Sequence, residues 1–124
     1  MGSECSQNDN VFMKLKKLNE LPLESVSHNQ AIKKKVFVRK GEMGNITQVA
    51  AVTFLPGQIA DGHKHDDMFE TFIVQSGSGE IKVDNKVVNV RAGDCVVVSP
   101  GEMHEVKNTG GEVMEMLVIG ELDG

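Results

Sequence analysis

The stretch EIKVDNKVVNV, Glu80–Val90, decides the fold class. Successive side chains of an extended chain point to opposite sides, so Ile81 and Val83 share one face while Lys82 and Asp84 share the other. Asp84 and Asn85 carry turn chemistry, and an apolar-rich run resumes beyond them. The stretch therefore predicts an antiparallel hairpin.

The same texture spreads outward. From AIKKKVFVRKG (31–41) onward, short runs rich in Val, Ile, Phe and Thr alternate with Gly, Pro, Asn and Asp. Strands are expected near 31–39, 46–54, 62–66, 69–75, 79–84, 86–90, 94–98, 103–108 and 112–119. The breaks between them, among them GEMGN, PGQIADG, SGSG, RAGD, SPGE and NTGG, consist of residues that tolerate turn geometry. Eight or nine short antiparallel strands predict an all-β sandwich or barrel. Ahead of them, VFMKLKKLNELPLESV (11–26) predicts a short helix or strand ended by Pro22. Residues 1–10 read as a flexible polar tail and 11–124 as one domain.

Composition narrows the function classes. A chain of 124 residues is long enough for one self-sufficient core. Its net charge of −5 argues against nonspecific nucleic-acid or membrane-surface binding. No apolar run reaches the length of a membrane span, and none near the N-terminus resembles a secretion signal, so the expected compartment is the cytoplasm. Cys5 and Cys95 suggest no disulfide framework and fit a reducing environment. MGSECS (1–6) fits the Met-Gly-x-x-x-Ser template for myristoylation, with Cys5 as a second lipid site; a start remnant ahead of a polar tail is the other reading. There is no tryptophan, so Val, Ile, Leu and Phe must fill the core, with Met114 and Met116 as packing residues at strand spacing. Lys33–Lys35 read as a strand edge protected against wrong pairing. Cys95, in CVVV, reads as a small buried hydrophobe.

The chemistry lies in HKHDDMFE, His63–Glu70. On one strand His63 and His65 would face the same way, about 6–7 Å apart along the backbone. Glu70 joins that face if the chain turns at Asp66-Asp67, which otherwise read as solvated turn residues. A metal site and an exposed polar loop both fit this stretch alone.

The wider spacing adds a resemblance. GQIADGHKHDDMFETFIVQSG (57–77) resembles the first conserved motif of the cupins, and GDCVVVSPGEMHEVKN (93–108) resembles the second. The second departs at Ser99, where the family carries proline and this chain has Pro100 one place later. Gly101, His104 and Asn108 keep their spacing. The interval between the motifs, Ser78–Ala92, is 15 residues, as in small single-domain cupins.

The resemblance implies a double-stranded β-helix, or jelly-roll barrel, with a short N-terminal extension. It also implies one divalent transition metal held by His63, His65, Glu70 and His104. Nitrogen and oxygen donors without thiolate suit Fe, Mn, Ni, Co, Cu or Zn alike. Asn108 is expected to do structural work, and His28, outside both motifs, to lie at the surface. By strand parity with Glu70 and His104, the residues Phe72, Val74 and Val106 are expected to line a pocket beside the metal.

Function follows as two expectations. One is a metal-dependent enzyme acting on a small molecule, dioxygenase-like first and isomerase- or epimerase-like second. No second acid or base stands out there, and Glu70 is the candidate proton relay. The other is a non-catalytic module that binds a sugar or carboxylate. Likeness to small cupins implies a homodimer, with AIKKKVFV (31–38) as the pairing strand.

Overall fold

The computed structural model describes residues 13–124. The polar tail and the lipidation template lie outside them. A single 3-10 turn at Leu18–Glu20 precedes ten strands: β1 (Glu24–Val26), β2 (Asn29–Arg39), β3 (Ile46–Phe54), β4 (Ile59–His63), β5 (Met68–Ser76), β6 (Ser78–Val83), β7 (Lys86–Arg91), β8 (Cys95–Val98), β9 (His104–Lys107) and β10 (Met114–Leu122). All pairings are antiparallel. They form a six-stranded sheet, in the order β1-β2-β3-β10-β5-β8, and a four-stranded sheet, β4-β9-β6-β7.

Alternation builds the core. Along β10, Met114, Met116 and Val118 are buried while Glu115 and Leu117 between them are less so; β3 does the same with Ala50, Val52 and Phe54. Ile81 and Val106 face them from the smaller sheet within one apolar cluster. Each wholly enclosed side chain of Ile81's size contributes about 1.5–3 kcal/mol. The Glu80–Val90 stretch forms the expected hairpin, with Val83 opposite Lys86 and Asp84 and Asn85 at the turn. Asp84 adopts a φ of 52° there.

Gly77 joins β5 to β6 with φ +80°, and a Cβ there would stand 2.7 Å from the Cα of Met114. No other residue fits that corner without moving β10. Asn108 is fully buried: its Nδ2 donates to the carbonyls of Phe54 (2.9 Å) and Glu112 (2.8 Å), and its Oδ1 accepts from Gly110 N–H (2.9 Å). Its role is to tie the end of β9 to two other segments.

Three expectations need correction. The lysine run is not an edge, because Lys33 and Lys34 pair with Ser25 and Glu24 of β1 on one side and with Thr53 and Val52 of β3 on the other. The short β1, which sequence reading left open as a helix or strand, folds back through Ser27-His28 and takes the edge. Cys95 is exposed, since Val96 and Val98 take the inward positions of β8 and leave Cys95 and Val97 facing out. Finally, β4 ends at His63, so His65 belongs to the loop after it and not to the same strand.

Candidate metal centre

Two strands of the smaller sheet bring the first pair of imidazoles together. His63 at the end of β4 lies directly opposite His104 at the start of β9. Between Ala60, opposite Val106, and His63, β4 carries one residue more than β9. In a regular strand residues three apart face opposite sides; the bulge turns both Ala60 and His63 toward the interior. Glu70 comes from β5 of the larger sheet, on the inward face with Phe72. His65 sits in the β4–β5 loop, where its carbonyl accepts from Gly101 N–H at 2.8 Å. Asp66 and Asp67 are exposed in that loop, as turn residues.

The donor atoms of His63, His65, Glu70 and His104 all lie within 4.8 Å of one another. Ligands bonded to one ion at about 2.1 Å stand about 3.0 Å apart when adjacent and about 4.2 Å apart when opposite. His104 Nε2 is 2.9 Å from Glu70 Oε1, and His65 Nε2 is 3.7 Å from the same oxygen. The ring contacts also allow the tautomer that metal binding needs. His63 Nδ1 lies 2.8 Å from the Asp61 carbonyl and His104 Nδ1 lies 3.3 Å from that of Glu102. An Nδ1–H donated to a carbonyl leaves the Nε2 lone pair directed at the cluster, the arrangement of metal-binding histidines. The four side chains thus fit a divalent transition metal.

Burial and mutual charge set the protonation of the group. Burial pushes the Glu70 carboxyl up, but the hydrogen bond from His104 and the three neighbouring imidazoles outweigh it and hold it below the usual carboxylate range. Burial likewise pulls His104 down, yet its bonds to Glu70 and to the Glu102 carbonyl leave it above the ordinary imidazole value. His63 is lowered, chiefly by burial, and is neutral where an ordinary histidine would begin to charge.

Beside the cluster lies a cavity of about 280 Å³. Phe72 and Val106 line it, with Phe54, Ala60 and Val118. Val74 does not: two residues, about 7 Å, further along β5 than Phe72, it is packed in the core. His28 is exposed, as expected, and its ring also lines the cavity and stacks on His63, with ring centroids 3.9 Å apart and an interplanar angle of 22°. The β1–β2 turn puts it there. Lys34 and Gln48 also line the cavity, so His28 and Lys34 are titratable groups that face it beside His63, His65 and Glu70. A signal for Lys34 existed in the sequence: it shares strand parity with the buried Ile32 and Val36. None existed for His28, whose place depends on how a three-residue strand folds back.

The family model for the cupin domain matches residues 50–120, and the chain belongs to the cupin family. The chain is 34% identical over 64 residues to the oxalate-binding protein of Thermotoga maritima, an alignment spanning 52% of this chain and 53% of that protein. The match therefore spans about half of each. Among solved structures, a predicted oxalate decarboxylase from Thermotoga maritima is 25% identical with a TM-score of 0.82, covering 89% of this chain and all of that one. KdgF from a Halomonas species shares the fold at 15% identity and a TM-score of 0.74, over 89% of this chain and 94% of that one. The cupin domain of Cnp3 from Schizosaccharomyces pombe does so at 16% identity and 0.73, over 86% and 72%. Among the described residues, no helix is long and apolar enough to cross a membrane.

Proposed function

We propose that the protein binds a small carboxylate of the oxalate class through one divalent transition metal held by His63, His65, Glu70 and His104. The observation that carries this reading is the convergence of four donor atoms within 4.8 Å, three of whose residues, His63, His65 and Glu70, line a mostly apolar cavity. When bound, such a metal supplies a Lewis-acid centre with coordination positions open to ligand oxygens. The chain's residues do the rest. The carbonyls of Asp61 and Glu102 orient two imidazoles, the Gly101–His65 backbone bond holds the β4–β5 loop that carries the third, and Phe72 and Val106 limit water around the site. The Thermotoga relatives, named for oxalate binding and predicted oxalate decarboxylation, support the carboxylate class.

Metal analysis followed by calorimetric titration with oxalate tests the reading. The expected outcome is about one metal per chain and saturable oxalate binding that requires it. Protein that folds normally yet holds no metal after supplementation with manganese, iron, nickel, copper or zinc would end the proposal.

A catalytic reading, dioxygenase-like or isomerase-like, gains support from His28 and Lys34, which add possible proton carriers to Glu70 at the cavity. Oxygen uptake and product formation across the same metal forms decide it; turnover in none leaves the binding module. A homodimer is the expected assembly, and a monomer by light scattering would overturn it.

A further inference from the structure

Lys34 lies outside both cupin motifs and outside the matched residues 50–120, yet it lines the same cavity as the metal cluster. Its backbone pairs with Val52, and its side chain runs along β3 to Gln48, where Nζ donates to Oε1 at 2.6 Å. That level is also the level of the cluster. Gly120 of β10 is paired with Gln48 on one side and with Glu70 on the other. Two strand spacings therefore separate Gln48 from Glu70, about 10 Å between their backbones. Gly120 itself carries no side chain, and Thr47 and Met68 cover it: a Cβ there would run into Thr47 Oγ1 and stand 2.6 Å from Met68 Cε.

Lys34 makes no close ion pair among the described residues. Its acceptor is a neutral amide, and the pairs that do form among them involve Lys14, Lys16, Arg39, Lys64, His65 and His104. Glu24, its backbone neighbour on β1, is bonded to Arg39 and feels Lys34 only as a weaker, longer-range charge. A cation held at a partly apolar wall attracts an anion more strongly than one in open water. With a divalent ion on the cluster and Glu70 ionised, the cavity is net cationic in a chain of charge −5. Its volume of about 280 Å³ exceeds what one oxalate-sized ligand needs, corresponding to about nine waters at about 30 Å³ each.

We infer that the Lys34–Gln48 pair is a second anchoring point, which receives the distal carboxylate of a small dicarboxylate whose other end is held at the metal cluster. The inference rests on the carboxylate-binding reading above. It assigns specificity to the N-terminal strands, with Lys34 reading charge and Gln48 positioning it.

Calorimetry on the full, metal-loaded chain tests it, using oxalate, malonate, succinate and glutarate together with the monoamide of each. Wild-type protein is expected to prefer at least one dicarboxylate over its monoamide by tenfold or more. Lys34→Met is expected to erase that preference, Lys34→Arg to keep most of it, and Gln48→Leu to weaken it, all with unaltered metal content and melting temperature. A preference that persists in Lys34→Met overturns the Lys34 assignment and leaves the carboxylate reading intact. Wild-type protein that takes up metal and binds no carboxylate overturns both.

Discussion

His104 Nε2 and Glu70 Oε1, contributed by strands of different sheets, lie 2.9 Å apart, so one hydrogen bond joins the two layers at the candidate metal centre. A proton and a divalent ion compete for those two atoms. Losing His104 therefore removes both a ligand and a link between the sheets. Replacing His63 or His104 by alanine should abolish most metal uptake, read as metal per chain by elemental analysis. His28→Ala, which removes only the ring stacked on His63, should retain the metal. Full occupancy in His104→Ala would show that the cluster is not the site.

The same pair fixes the expected pH behaviour. His104 is raised, so its contribution to folding is complete below the ordinary value of 6.5 and fades as the pH rises through its higher folded value. Glu70 is lowered, so its contribution is complete above 4.5 and fades as the pH falls through its lower folded value. Between those limits the pair stabilises the fold fully, but His63, lowered by burial, withdraws stability as the pH falls below 6.5, so metal-free protein should melt highest near the upper limit. Metal binding requires neutral His104, so its affinity should climb with pH through the raised value. Melts in chelator and in zinc, taken across pH, check both trends; a metal-loaded protein most stable at pH 5 would contradict the second.

Asn108→Ala should destabilise the fold without touching the metal. It strands the carbonyl of Phe54 in the interior, costing about 1–3 kcal/mol, and removes the donor from the part-buried carbonyl of Glu112. Denaturant unfolding reads the loss, and elemental analysis should still find the metal in the folded protein. A loss under 0.5 kcal/mol, a threshold at the foot of the usual range, would mean that water replaces the amide.

Gly77→Ala should cost more than an ordinary glycine substitution, because the added carbon would meet both the Val113 carbonyl and Met114 Cα while φ stays positive. A loss of at least about 1 kcal/mol is expected from the backbone strain alone. Gly111→Ala, where a Cβ meets nothing within 4 Å, is the matched control. Equal melting temperatures for the two would refute the corner's crowding.

Much of this architecture was legible before any coordinates. Short runs of Val, Ile, Phe and Thr between turn residues located nearly every strand, and along β3 and β10 the inward positions then alternate with less buried ones. The cluster residues were legible too, since the spacing of His63, His65, Glu70 and His104 belongs to a recognisable pair of motifs. What sequence could not supply was register. The assumption that His63 and His65 share a strand failed because β4 stops early and the loop takes His65. Lys34 was taken for an edge residue because nothing local announces the three-residue strand that covers it. Val74 shares Phe72's parity but lies at a different depth, and parity carries no depth.

The bulge in β4 also makes the site a matter of phase. Between Ala60 and His63 the chain holds one residue more than its partner strand. Deleting Gly62 would leave every side chain of the cluster in the chain, in the same order, and would present His63 to solvent instead of to His104. A single-residue insertion or deletion there disables the centre as thoroughly as removing a ligand, while a tally of conserved histidines would register no loss.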